Sequence, residues 1–235
     1  MNLTKSMSAE VEQNSHSLIL LPVGSLEQHG TEAPLGCDAL IAEALCKEAG
    51  NQTGVPVLPA LYYGNSACHK AFPGTFSLSV ETYSKLLEEI INEAARNHFK
   101  HILIVSGHGG NRTAAEKAIL SCNKNIACEY LGYWQLPGVE IEENKLFNKS
   151  GYHITSPEVS MIWFLEGKKI PGKFIGSYPS SLSLDEMKKL TANEWKQLFP
   201  DGGADSDLSD ASLEKGNSFF NFVLASLINK IQELV

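Results

Sequence analysis

Glu27, His29 and Asp38 stand within one short stretch, GSLEQHGTEAPLGCD (residues 24–38), and all three are side chains that bind metal ions. Glu27 and His29 are two apart, so in an extended segment both project to the same side. Asp38 follows after a loop able to fold back. His108 lies in GHGGN (107–111), flanked by glycines that keep the backbone around it open. His153 and Glu158 come later, in HITSPEVS (153–160). Glu27, His29, Asp38, His108 and Glu158 together form a mixed nitrogen and oxygen set that suits zinc, manganese or iron. Five protein ligands exceed what one catalytic zinc normally uses. They suit two ions bridged by a carboxylate, about 3.5 to 4 Å apart.

Such residues need a frame that brings distant segments to one place. SLILLPV (17–23) and VPVLPAL (55–61) read as buried parallel strands, HILIVSG (101–107) as the clearest strand, and IACEYLGYW (126–134) as a further one. Helical spacing runs from Asp38 to a stop at Gly50, from Val80 to Asn97, and again after GHGGN through Ala114, Ala118 and Ile119. Later helices are expected over 157–167, 185–198 and 211–235, the last with Phe220, Val223, Leu224, Leu227, Ile231 and Leu234 facing inward. This alternation predicts a single α/β domain, residues 1–235, whose mainly parallel sheet is sandwiched by helices. Ligands of such sheets bind beyond the carboxyl ends of the strands, where GSLEQHG and GHGGN both fall.

Composition narrows the partners. With 19 Lys and Arg against 27 Asp and Glu, and a net charge of -8, the chain lacks the basic balance of a nucleic-acid surface, and a small substrate is expected. The opening residues lack the apolar run of a signal peptide, and no stretch reaches the roughly 20 apolar residues of a membrane span, so a cytoplasmic protein is expected. The five cysteines, Cys37, Cys46, Cys68, Cys122 and Cys128, follow no CxxC spacing and are expected to be reduced and without function. Plainer readings stand beside the metal site. A lone Glu-x-His can be an ordinary polar loop, and GHGGN can be an anion cradle at a helix start. A P-loop would require a Lys and a Ser or Thr that do not follow GHGG.

LPVGSLEQHGTEAPLGCD, HKAFPGT, VSGHGGN and HITSPEVS resemble the creatininase, or creatinine amidohydrolase, family in order and spacing, and the likeness continues to LEKG (213–216). The resemblance implies the creatininase fold and a dinuclear metal-dependent amidohydrolase acting on a small amide. It assigns Glu27, Asp38 and His108 to one ion and His29, Asp38 and Glu158 to the other, with Asp38 bridging. His153 takes the place of a histidine near the scissile bond, a proton donor to the leaving nitrogen, expected to titrate near its ordinary pKa of about 6.5. Trp134 matches a tryptophan that lines the substrate site, and His69 either contacts substrate or holds its loop. The family also includes formamide-cleaving enzymes and a peptidase, and the likeness implies a homo-oligomer, with a hexamer as the suggested form. Gly110 and Lys149 stand where creatininase has a glutamate and a second tryptophan. If Lys149 faces the pocket, an anionic amide or formamide is expected to be preferred over creatinine.

Overall fold

A computed structural model describes residues 1–13, 16–122, 124–149, 151–172, 182–187 and 189–235. Two runs of apolar, largely branched residues and a third of mixed character form a parallel sheet in the order β1 (Leu18–Val23), β2 (His101–Ser106), β3 (Ala127–Gly132). Leu18 to Val23 pair residue by residue with His101 to Ser106, and these in turn with Ala127 to Gly132, so all three strands end level. Because a strand alternates its side chains, each face acquires its own core. Leu18, Leu20, Leu103 and Val105 face one side, and Ile19, Leu21, Val23, Ile102 and Ile104 the other. Both are buried, the condition under which a strand reads as a continuous apolar run.

The helices that cover these faces follow in chain order: α1 (Ser8–Glu12), α2 (Cys37–Thr53), α3 (Val80–Arg96), α4 (Arg112–Ser121), α5 (Val139–Leu146), α6 (Ser156–Glu166), α7 (Leu184–Met187), α8 (Ala192–Leu198) and α9 (Leu213–Leu234). α3 and α4 pack together over the second face, where Tyr83, Leu87, Ile91 and Ala94 form one stripe of α3. α2, α6 and α9 cover the first face, with Phe219, Phe220, Val223, Leu224, Leu227 and Ile231 of α9 turned inward. This is the α/β sandwich expected. Among the described residues no helix is long and apolar enough to cross a membrane.

Three expectations are corrected. VPVLPAL is not a full strand: Pro56 and Pro59 cannot donate to a ladder, and the segment makes only isolated parallel bridges to β1, Leu20 with Val57 and Val23 with Leu61. α2 runs past Gly50, which packs against Val57, and stops at Gly54 in the left-handed conformation, with φ 78°. The helix expected over 185–198 is two short ones, α7 and α8; residue 188 between them lies outside the described set.

Candidate metal centre and active site

Level strand ends put the following loops side by side. The loop after β1 carries Glu27 and His29, the turn after β2 carries His108, and the first turn of α2 carries Asp38. Gly107 lets these meet: a Cβ on it would lie 2.1 Å from the Asp38 carbonyl oxygen, so any side chain there would push α2 off the strand ends. All four ligand candidates are at least nine-tenths buried. His29 Nε2 lies 3.1 Å from Asp38 Oδ1; His108 Nδ1 lies 3.0 Å from Asp38 Oδ2 and 3.4 Å from Glu27 Oε2. Ser25 Oγ donates to Asp38 Oδ2 at 2.7 Å, aiming the carboxylate.

The far nitrogens of both histidines define the chemistry. His29 Nδ1 contacts the Glu27 carbonyl oxygen at 3.2 Å and His108 Nε2 the Asn65 carbonyl oxygen at 2.8 Å. A carbonyl only accepts, so these nitrogens carry the protons, and His29 Nε2 and His108 Nδ1 turn lone pairs toward carboxylate oxygens. Glu27 Oε2 and His29 Nε2 have no hydrogen-bond partner although buried. Lone pairs facing lone pairs in a dry site call for a cation, a proton or a metal ion. In the metal-free geometry protons answer part of that call. Burial opposes the charged form of His108, but Glu27 and Asp38 outweigh it and lift the pKa to about 9. His29 is likewise raised against burial, by Cys37 and Asp38, while His29 and His108 hold Asp38 well below the usual carboxylate range despite its burial. The donors present fit divalent metal ions, and among the described residues Glu27, Asp38 and His108 form one convergent cluster, His29, Cys37 and Asp38 a second, and Glu27, His69 and His153 a third.

That third cluster faces a different environment. His69 and His153 stack at 4.2 Å, with Trp195 edge-on to His69 at 4.7 Å. The Gln28 side-chain nitrogen lies 2.8 Å from His153 Nε2, 3.3 Å from His69 Nδ1 and 3.2 Å from the Gly202 carbonyl oxygen, and the Gln28 carbonyl oxygen lies 3.0 Å from His153 Nε2. Nδ1 of His153 is left facing Glu27 Oε1 at 3.7 Å. Backbone hydrogen bonds between His153 and Ala204 hold this histidine from behind. Its neighbour Ile154 is fully buried with φ 59°, a conformation that costs a branched residue about 1–3 kcal/mol and persists only where packing enforces it. Gly202, at φ 90°, brings its carbonyl to both Gln28 and the Trp195 indole; a Cβ there would lie 1.8 Å from Gln28 Oε1. Burial, then His29, pushes His153 down to about 3, so it is neutral at physiological pH and does not titrate near 6.5 as expected. His69 is lowered for the same reasons, burial first and then His153.

The profile described as "Creatininase: Creatinine amidohydrolase" matches residues 2–231. The chain belongs to the creatininase family. It is 36% identical over 99 residues to the creatinine amidohydrolase of Pseudomonas putida, covering 40% of this chain and 38% of that protein. It is 39% identical over 108 residues to the mycofactocin precursor peptide peptidase of Mycolicibacterium smegmatis, covering 43% of each. The chain thus matches less than half the length of these two curated relatives. A solved creatininase mutant complexed with creatine superposes with a TM-score of 0.86 at 23% identity, over 99% of this chain and 97% of that one. A Zn–Zn form and a Mn form of creatininase give 0.84 and 0.85 at the same identity, each over 99% of this chain and 97% of its own. At that identity the likeness establishes the creatininase fold.

Within this creatininase-family chain the expected residues fall unevenly. Glu27, His29, Asp38, His108, His69 and His153 converge. Glu158 belongs to none of the clusters: its Oε2 accepts from the Thr155 backbone N–H at 2.8 Å, closing a capping box at the start of α6. It remains close enough to feel His29 and Asp38, and burial pushes it up to about 7. Trp134 follows β3 in a partly exposed turn, its ring lying over Gly132 and 3.9 Å from where a Cβ on Gly109 would sit, beside the His108 turn. Lys149 does not enter the site; it pairs with Asp205 at 2.6 Å and is 38% exposed. An open cleft of about 270 Å³ next to Gln28 is lined by Gly30, Thr31, Glu32, Leu35, Phe72, Pro73 and Asp201, with no Lys or Arg among the described lining residues. The basis for an anionic substrate therefore falls away. Ser25, Gln28 and Trp195 also belong to the site and are not among the residues that the sequence motifs single out. Ser25, two before Glu27, shares its side of an extended segment and could have been found; Trp195 carried no local signal.

Proposed function

We propose that this chain is a dinuclear metal-dependent hydrolase that cleaves the C–N bond of a small neutral or cationic amide. The observation that carries the reading is the buried convergence of Glu27, Asp38, His29 and His108 with two unpartnered donor atoms. Glu27, Asp38 and His108 would hold one ion and His29, Asp38 and Glu158 the other, Glu158 by leaving its cap, with Asp38 shared. Two such ions, when bound, lower the pKa of a water toward about 7 and polarise an amide carbonyl. The Zn–Zn and Mn forms of creatininase, which share the fold, support zinc or manganese.

His153 handles the proton. Its Nδ1, facing Glu27, could take one from the attacking water and return it to the leaving nitrogen once bound ions keep His29 neutral and so remove a charge that opposes protonation of this ring. The Gln28 contacts and the His69 ring fix its orientation, and the surrounding Trp195 excludes water. Trp134 would flank the substrate from the β3 side. A second reading, cleavage at the end of a short peptide, is favoured by the open, partly apolar cleft beside Gln28 and by the peptidase relative. We place the protein among soluble homo-oligomers acting on small molecules rather than on nucleic acid.

Elemental analysis of reloaded protein, with kcat/KM over a panel of neutral, cationic and anionic amides and short peptides, tests this. About two ions per chain and turnover led by a neutral or cationic amide are expected. Metal content far below one, or turnover led by an anionic amide, defeats the reading.

A further inference from the structure

We infer that the thiol of Cys37 is itself a metal ligand, completing with His29 and Asp38 a donor set that favours zinc at one ion position. The inference rests on the dinuclear reading above. The sulfur, a His29 ring nitrogen and an Asp38 carboxylate oxygen all lie within 4.8 Å of one another, and all three residues are buried. His29 Nε2, in a residue only 1% exposed and without a hydrogen-bond partner, faces Asp38 Oδ1 at 3.1 Å. Cys37 is also the first residue of α2, where the helix dipole favours negative charge, but burial dominates and pushes the free thiol up to about 12, so the charge of the ion itself has to displace the proton.

Two contrasts sharpen the assignment. Cys46 lies on the same helix and is just as buried, yet it joins no donor cluster among the described residues. Glu158, proposed for the same ion, stands outside the convergent cluster until it leaves its helix cap, whereas the Cys37 sulfur already stands within it. A nitrogen, an oxygen and a sulfur, with a fourth position for Glu158 or water, match the four-coordinate habit of zinc. Thiolate is a poor ligand for manganese, whereas Glu27, Asp38 and His108 offer only oxygen and nitrogen and can take either metal. On binding, the zinc–sulfur bond forms as the thiol proton leaves to solvent, with no change of oxidation state.

The test is X-ray absorption at the zinc edge on metal-free protein reloaded with zinc. A sulfur neighbour at about 2.3 Å, averaged over two ions, is expected. In Cys37→Ser the sulfur signal should vanish, and chelator competition should show one of two zinc ions held at least roughly 10-fold more weakly, the least that losing even an outer partner costs. Wild-type protein that holds two zinc ions with only nitrogen and oxygen neighbours overturns the thiol assignment and leaves the dinuclear reading standing. Wild-type protein that takes up no zinc overturns the thiol assignment, and protein that takes up no manganese either overturns the dinuclear reading as well. The wild-type spectrum decides even where Cys37→Ser fails to fold.

Discussion

Around Asp38, buried histidines sit against carboxylates at 3.0 to 3.4 Å; around Gln28, buried histidines sit against each other and an amide, with the Glu27 carboxylate further off at 3.7 Å. His108 and His153 are both under a tenth exposed, yet one is lifted to about 9 and the other pushed down to about 3. Burial disfavours charge in both, so the neighbours decide the outcome. On the Asp38 side the lone pairs confront carboxylates and require cations. On the Gln28 side most polar atoms already have partners, and the ring is kept neutral. Depth alone therefore says nothing of a histidine's role, whereas the partner of its far nitrogen says a great deal.

The comparison breaks first at Asp38. Asp38→Ala removes the carboxylate that faces both His29 and His108, and both ions and all hydrolysis should be lost; normal occupancy by elemental analysis would show that the two positions do not share it. His153→Ala, on the other side, should keep both ions while kcat falls by roughly 10²-fold or more, as for lost proton transfer. An unchanged kcat would make this side purely structural.

A finer separation comes from stability against pH in metal-free protein. With His153 at about 3 when folded and 6.5 when unfolded, the unfolded chain binds the extra proton between those values, so this residue makes stability fall as pH drops from 6.5 toward 3. His108 has the opposite sign: its contribution is full below 6.5 and is lost as pH rises through about 9. Urea denaturation across this range should show the acid limb shallower in His153→Ala than in wild type and the alkaline limb unchanged. Equal acid limbs would mean that His153 titrates normally. The smallest effect belongs to Lys149→Ala. Its ion pair with Asp205 is partly exposed, so stability should move by no more than about 1 kcal/mol and kcat/KM for any amide should stay the same. A change confined to anionic amides would return Lys149 to the site.

The Asp38 side was legible in the sequence because its residues directly follow apolar strands, and a strand end fixes where the next side chains go. The Gln28 side was legible only in its histidines. Gln28 stands between Glu27 and His29, so alternation turns it away from them, and its role appears once residues 195–204 fold back against it. Glu158 is legible as a ligand candidate only through the family likeness, because Thr155 and Glu158 also have the spacing of a capping box, and that bond competes with ligation. Gly50 reads as a helix stop because a missing side chain looks alike at a helix end and at a tight packing contact. The direction of Lys149 stays open in the sequence because its partner, Asp205, is remote along the chain and sits in an irregular loop.

The contact of Gly107 with the Asp38 carbonyl has a consequence for how such a protein can change. A single added methyl group there would meet backbone at 2.1 Å and would displace the residue that both ions are proposed to share. Mutational drift at this point is therefore all or nothing, and selection for a new substrate has to work elsewhere. Phe72, Pro73 and Asp201 border the cleft outside that frame, so a directed-evolution library confined to them should yield altered amide preference with metal content intact.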